Sequence, residues 1–499
     1  MATQVKTQKK LHFVIIPFMA QGHLIPLIDI ARLLAKRNVT ITIVTTPLNA
    51  IRFNSIIDRD IESGLPIQVL RLQFPNSDAE LPDGCESIDT LPSLSLLKNF
   101  MHALGLLRQP FEQLFQELKP RPNCIVSDKN VLWSVDVASK FGVPRIVFDG
   151  LSCFAGSCIH SLHVSKVHES VVSESEPFVV PGLPDRIEIT RAQLSGAFNP
   201  GPHHFFKLTR EKVIEAEEGA YGVVVNSFEE LELEYVKECK KTTKTAGKKV
   251  WCVGPVSFCN DDDLDKAQRG NLKASNNEEE YYLKWLDSWG PRSVIYACLG
   301  SLSRLIPPQQ VELGLGLEES KRPFIWVIRG GYKSEEFEKW LKKDGFEERV
   351  KGRGLLIRGW APQVLILSHP SIGAFLTHCG WNSTLEGICA GVPLVTWPMF
   401  AEQFYNEKFI VQISKIGVGV GAQKVVHNGD EQKFGVLVKR DQITEAIDKV
   451  MDAENDGEET RKRAQKLAEA AKRAVQEGGS SYVNITLLLE DIKNLCVTP

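Results

Sequence analysis

One run, Trp360 to Gln403, constrains this chain more than any other stretch. It holds Trp-Ala-Pro-Gln-Val-Leu-Ile-Leu-Ser-His-Pro, then Ser-Ile-Gly-Ala-Phe-Leu-Thr-His-Cys-Gly-Trp-Asn-Ser-Thr-Leu-Glu-Gly, and ends Trp-Pro-Met-Phe-Ala-Glu-Gln. Ile372 to Thr377 is a short apolar β run that stops at His378, and Cys379-Gly380 form a tight turn. Trp381 to Ala390 reads as a helix with Asn382, Ser383 and Thr384 in its first turn, where free backbone N–H groups seek acceptors. Such a terminus suits an anion through its donors and its dipole together. Val392 to Val395 returns the chain as a buried strand, so the stretch is a βαβ unit with a phosphate-shaped hole beyond its first strand.

Around this unit the chain alternates. Apolar strands are expected at Leu11 to Pro17, Val39 to Thr46, Ile67 to Phe74, Cys124 to Ser127, Arg145 to Phe148, Tyr221 to Val225 and Lys249 to Val253. Helical patterns fall at Leu24 to Lys36, Leu91 to Leu118 and Val131 to Phe141. Strands that are apolar throughout, separated by helices, mark parallel sheets covered on both faces. Leu151 to Lys212, with its Pro, Gly and His clusters, reads as loops and short helices over the mouth of a cleft. After Gly254-Pro255 comes a polar stretch to Glu280, expected as an exposed linker. A second series runs through Val294 to Leu299, Phe324 to Ile328, Leu355 to Arg358, Ile372 to Thr377, Val392 to Val395 and Gly417 to Val420. Helices at Arg440 to Met451, Glu458 to Gln476 and Tyr482 to Asn494 close the chain. Its 499 residues exceed one ordinary core, so the expectation is two doubly wound α/β domains facing each other.

The run from Trp360 to Gln403 resembles, without a gap, the signature box of plant UDP-dependent glycosyltransferases, and the resemblance extends over nearly the whole chain. It implies a GT-B fold of two Rossmann-like domains. Residues 1–255 would bind the acceptor, 256–290 would link, 291–478 would bind the UDP-sugar, and the helix in 479–499 would pack back on the N-terminal domain. It also implies an inverting transfer without metal or cofactor. In the donor site so implied, Trp360 stacks on uracil and the Ala361 backbone pairs with the base edge. Gln363 and Glu386 hold the ribose. His378, Asn382, Ser383 and the Trp381 backbone hold the phosphates, with Ser301 adding a hydroxyl. Glu402 and Gln403 hold the sugar beside the Trp381 ring, and Gln403 favours UDP-glucose over UDP-galactose. Glu402 replaces the Asp seen in many members, which keeps UDP-galactose and UDP-glucuronate, on a glycosylated acceptor, open as alternatives.

His23 follows the first strand and Asp128 ends another, the place where open α/β sheets put ligands. In the family pattern they match a base and its partner. A neutral His takes the acceptor hydroxyl's proton, and the carboxylate fixes its tautomer and steadies the imidazolium. Acceptor-pocket candidates are Phe18, Met19, Phe148, Phe198, Phe205 and Phe206. The pattern of residues 29–35 and 42–47 looks like the branch acting on triterpenoids, steroids and flavonoids, so a triterpenoid or sterol-like hydroxyl, or a sugar already attached to one, is favoured. The reading from another class is a catalytically silent UDP-sugar-binding protein. His23 and Asp128 together argue against it.

Other classes fall away. A net charge of −3 gives no nucleic-acid footprint. No run approaches the ~20 apolar residues of a membrane span, and the N-terminus lacks a signal pattern. Eleven cysteines without CxxC spacing read as buried thiols of a reducing compartment, the cytoplasm, and a monomer is expected. Asp261-Asp-Asp263 reads as solvated acid rather than a metal site. Gly417-Val-Gly-Val-Gly421 is not the dinucleotide fingerprint, since its spacing is wrong and no helix comes after it.

Overall fold

Continuous apolar runs of three to six residues make the frame of the protein, because a strand covered on both faces has no polar side to show. In the computed structural model, residues 10–199, 205–245, 247–260, 262–270, 276–303, 305–328, 334–426, 431–454 and 456–497 are described. The strands are β1 (His12–Ile16), β2 (Thr40–Thr45), β3 (Ile67–Arg71), β4 (Cys124–Asp128), β5 (Arg145–Asp149), β6 (Pro177–Val180), β7 (Ile187–Thr190), β8 (Gly222–Val225) and β9 (Lys249–Cys252). A second set holds β10 (Val294–Cys298), β11 (Phe324–Ile328), β12 (Gly354–Arg358), β13 (Ile372–Thr377), β14 (Leu394–Thr396) and β15 (Gly417–Gly419). The first sheet has the order β3-β2-β1-β4-β5-β8-β9 and the second β12-β11-β10-β13-β14-β15. Every pairing in both is parallel.

That order reverses direction once in each sheet, between β1 and β4 and again between β10 and β13. At such a switch point neighbouring connections run to opposite faces and leave a crevice beyond the carboxyl ends. The residues singled out from sequence, His23 and Asp128 in one half and Ser301 and His378 in the other, come after or end these four strands. The last helix, Ser480–Val497, lays Ile485, Leu488, Leu489 and Ile492 into the core of the first half, among Phe13, Ile41 and Trp251. Ser481 Oγ donates to the Gly254 carbonyl beside it.

Three expectations from sequence need correction. The helical stretch 91–118 is split into Leu97–Leu106 and Arg108–Glu117. Residues 151–212 are more regular than expected, with a 13-residue helix, Cys153–Ser165, and an antiparallel hairpin of β6 and β7. Small residues blur that helix's periodicity, and its N-terminus is closed from far away. The Glu232 carboxylate accepts from the Cys153 and Phe154 amides at 3.0 and 2.8 Å, beside the local Ser152 cap on Ala155 at 2.9 Å.

The largest correction concerns the polar stretch after Pro255. Much of its described part is docked rather than exposed, although Asp262, Asp263, Leu264 and Glu280 do face solvent. Val256, Cys259, Asn260, Asp265, Ala267 and Arg269 are buried, and the turn at Val256–Cys259 packs on the helix Gln21–Lys36. Arg32 on that helix reaches Asp60 and Asp265 at 2.5 Å and Asn260 at 2.7 Å, and Arg59 adds a second bond to Asp265 at 2.6 Å. Composition marked the stretch as solvent-seeking. Ion pairing with a distant helix satisfies those same polar groups instead. Asp261 and the clusters at 200–204 and 271–275 lie outside the described residues.

Candidate functional site

The base sits where the first turn of a helix meets the end of a strand. His23 is the third residue of Gln21–Lys36, directly after β1. Its Nδ1 lies 2.7 Å from Asp128 Oδ2 at the end of β4. Asp128 is fully buried, while the His23 side chain keeps 28% exposure. The other carboxylate oxygen, Oδ1, accepts from the Asn130 amide at 2.8 Å and the Asn130 side chain at 2.9 Å. An ionised carboxylate can only accept, so His23 Nδ1 carries the proton and Nε2 presents its lone pair on the opposite edge of the ring. Burial pulls the His23 imidazole down, but the Asp128 charge and hydrogen bond outweigh it, and the net shift is upward despite opposition from Lys129. Burial likewise works against Asp128 ionisation, and the His23 contact turns the net shift downward. Phe18 packs edge-on against the imidazole at 5.4 Å between centroids.

The second half meets this pair through the helix Trp381–Ala390. Gly380 precedes it, no side chain caps it, and no acidic side chain occupies its first turn. Asn382 Nδ2 donates to the carbonyl of Gly22, the neighbour of His23, at 2.6 Å. The Trp381 indole is buried, and its Nε1 donates to the Asn226 carbonyl at 2.8 Å. Trp381 therefore clasps the two halves with its ring while its backbone stays at the helix N-terminus. Asn226 directly follows β8 and was missed from sequence, although its place after a parallel strand was a usable signal.

His378 stands between two glycines. A Cβ on Gly300 or on Gly380 would come within 2.5 Å of the imidazole. Gly300 also has φ of +82°, a conformation that side chains resist, so this turn needs glycine twice over. Ser301 is next in the same turn.

Beyond that helix start, Gln363 Nε2 reaches Ser383 Oγ at 3.1 Å and Glu386 Oε2 at 2.6 Å, so these three side chains lie together. Arg269, which sequence reasoning missed, donates to Glu386 Oε1. Nothing in the polar stretch around it marked it out. Ala361 is buried, its carbonyl taken by the Gln363 amide at 2.8 Å. Trp360 is half-buried and lies against Gly270.

Glu402 sits close enough to His23 to affect it electrostatically. Burial raises its carboxyl, and the pull of His23, Lys129 and the Trp381 backbone does not cancel that rise. Gln403 is 3% exposed and its Oε1 accepts from the Met399 and Phe400 amides at 2.9 and 3.1 Å. Of the acceptor-pocket candidates, Phe18, Met19 and Phe148 are core residues of the first half, and Phe18 packs against His23. Phe198 is half-buried under Arg210, 4.1 Å from its ring centroid. The side chains of Phe205 and Phe206 lie outside the described residues. Among the described residues no cluster of His, Cys, Asp or Glu could hold a metal, no helix is long and apolar enough to cross a membrane, and none of the eleven cysteines is in a disulfide.

Two doubly wound sheets with their switch points turned to one gap, a His–Asp pair on one side and an uncapped helix N-terminus on the other, define a glycosyltransferase of the GT-B class. Residues 265–428 match the family described as UDP-glucoronosyl and UDP-glucosyl transferase, and residues 9–258 match a glycosyltransferase N-terminal domain. UDP-glycosyltransferase 73C11 of Barbarea vulgaris is 51% identical over 487 residues, 97% of each chain. UDP-glycosyltransferase 73C3 of Arabidopsis thaliana is 51% identical over 498 residues, 99% of each. Among solved structures, UGT73P12 of Glycyrrhiza uralensis, complexed with glycyrrhetinic acid 3-O-monoglucuronide, superposes with a TM-score of 0.90 at 40% identity, covering 98% of this chain and 96% of that one. UGT71G1 of Medicago truncatula, complexed with UDP-glucose, gives 0.76 at 25% identity, covering 98% and 99%. The chain belongs to the plant UDP-glycosyltransferase family and is a UDP-sugar-dependent glycosyltransferase.

Proposed function

We propose that the chain is an inverting O-glucosyltransferase that moves glucose from UDP-glucose to a hydroxyl of a lipophilic specialised metabolite. A triterpenoid or sterol-like acceptor is favoured, as an aglycone or already carrying a sugar. The observation that carries this is the buried Asp128 on His23 Nδ1, which leaves the opposite ring nitrogen as a base beside the helix that begins at Trp381. The acceptor hydroxyl gives its proton to His23 Nε2 as its oxygen attacks the anomeric carbon from the face opposite UDP. UDP departs with the C1–O bond electrons. Asn382, Ser383, His378, Ser301 and the Trp381 N–H absorb the charge that develops on it, a preorganised arrangement of dipoles. Trp360 and Ala361 take the base and Gln363 with Glu386 the ribose. Glu402 and Gln403 take the sugar hydroxyls, with Gln403 favouring glucose. No step needs a covalent intermediate, a metal or a cofactor.

Support for the acceptor class is the triterpenoid glucuronide bound in the Glycyrrhiza relative, and for the donor the UDP-glucose in the Medicago one. Cysteines outside any disulfide suit work in the cytosol, and we take the protein to act as a monomer. The test pairs two measurements. UDP-glucose, UDP-galactose and UDP-glucuronate are offered with a panel of triterpenoid, sterol and flavonoid alcohols and their monoglycosides, and products are read by mass spectrometry. The same reaction is run on His23→Ala, expected to lose about 10²–10⁴-fold in transfer while still binding UDP. UDP binding with no transfer by the unaltered protein to any acceptor would instead favour a silent binding protein.

A further inference from the structure

Arg269 joins two carboxylates that come from opposite halves of the protein. Its Nε and Nη2 reach Asp29 Oδ2 at 2.9 and 2.8 Å, and its Nη1 donates to Glu386 Oε1. All three side chains are at least nine-tenths buried. Asp29 lies on the helix that carries His23, less than two turns beyond it. Its other oxygen is held by Asn260 at 3.2 Å and by the Cys259 thiol at 3.3 Å. Glu386 lies on the helix whose N-terminus faces the gap, and its other oxygen is held by Gln363.

The chain that delivers Arg269 is itself anchored, since Asp265 and Asn260 are bonded to Arg32. The next residue, Gly270, has φ of +76°, and a Cβ there would fall 2.6 Å from Ile25 and 2.7 Å from the Trp360 indole. Residues 269 and 270 thus touch the indole assigned to the base and the carboxylate assigned to the ribose, while holding the base-bearing helix with the other hand. A bridge that served only to hold the fold together could end on any pair of surface groups. This one ends on a carboxylate of the donor cluster.

We infer that Arg269 is a positioning residue for the ribose of the nucleoside diphosphate sugar, orienting Glu386 toward the ribose diol and tying it through Asp29 to the helix of His23. Each carboxylate oxygen has two lone pairs, so Glu386 can accept the diol without releasing Arg269 or Gln363. The plane of the carboxylate is set before the donor arrives, and the helix carrying His23 is held to the same point. This inference rests on the donor-site reading of Glu386.

The test uses the full chain and two probes, UDP and 2′,3′-dideoxy-UDP, titrated by calorimetry, together with kcat and donor KM. The unaltered protein is expected to bind UDP about 30-fold tighter than the dideoxy compound, the worth of hydrogen bonds to a charged group. Arg269→Gln is expected to bind UDP about tenfold weaker and to prefer it less than about threefold over the dideoxy compound. Asp29→Asn is expected to hold UDP within about threefold and keep its donor KM, while kcat falls about tenfold. Retention of the full diol preference in Arg269→Gln overturns the inference, and so does full kcat in Asp29→Asn. Full diol preference in Glu386→Gln has a different meaning, since it removes the ribose assignment itself whatever Arg269 does. Where Arg269→Gln fails to fold, Arg269→Lys decides. It keeps the charge but cannot span both carboxylates, and the inference fails if its diol preference and kcat both match the unaltered protein.

Discussion

Replacing Asp128 by Asn tests the base more sharply than removing it, because Asn130 dictates which way the new amide points. Both the Asn130 amide and its side chain donate to Asp128 Oδ1, at 2.8 and 2.9 Å. An Asn at position 128 must therefore keep its carbonyl oxygen toward Asn130 and turn its NH₂ toward His23. His23 Nδ1 then has to accept, which moves the ring proton to Nε2 and leaves no lone pair for the acceptor hydroxyl. Two losses add up. A hydrogen bond to a charged partner, here a fully buried one at 2.7 Å, is worth about 1.5–3 kcal/mol, and that stabilisation of the imidazolium goes. Restoring the useful tautomer breaks a neutral hydrogen bond, about 1 kcal/mol more. The sum, about 2.5–4 kcal/mol, predicts a fall in kcat of about 10²–10³-fold. Asp128→Ala loses only the first part, so it should transfer faster than Asp128→Asn. Donor affinity should stay unchanged in both. The pH dependence gives a second reading. Asp128 holds the His23 imidazole above its ordinary value, so the rate is lost as pH falls through that raised pKa, and Asp128→Asn moves the acid limb to lower pH. The assay is UDP release at saturating donor and acceptor, with UDP titrated separately. An Asp128→Asn protein that outruns Asp128→Ala, or an acid limb that does not move, refutes the reasoning.

Gly300→Ala strains a φ of +82° and drives a methyl into the His378 ring, so donor KM should rise about tenfold with a smaller change in kcat, measured by steady-state kinetics. Arg32→Met leaves buried Asp60 without its cation and Asp265 with Arg59 alone, and should destabilise the fold by about 3–5 kcal/mol in urea denaturation. Treatment with EDTA should leave the transfer rate unchanged. A loss restored by a divalent cation would show that a metal takes part.

Much of the fold was legible because parallel strands buried on both faces leave continuous apolar runs, and those runs carry their own boundaries. β11 and β13 fall where the runs at 324–328 and 372–377 begin and end. The candidate site was legible for a related reason. A parallel sheet puts its chemistry at strand ends, so His23, Asp128, Ser301 and His378 each sit where an apolar run stops. Features that rest on distant partners were not legible. Glu232 closes the N-terminus of a helix about 80 residues before it, and Arg32 buries Asp265 from more than 230 residues away. Neither partner leaves a periodic trace near the element it stabilises.

The polar stretch after Pro255 is where local composition and distant partners disagree most. A segment rich in Asp, Asn and Lys carries too little apolar surface to dock by burial, so hydropathy assigns it to solvent. Charge pairing can dock it all the same, provided every buried ion meets its opposite, as Arg32 meets Asp60 and Asp265 and as Arg269 meets Asp29 and Glu386. Burial by charge is directional where burial by apolar surface is not. It therefore sets Arg269 at one place, against Glu386, and not merely somewhere on the helix beneath. A hydrophobic linker of equal length would hold the halves together as well, but it would put no guanidinium between the donor cluster and the helix of His23.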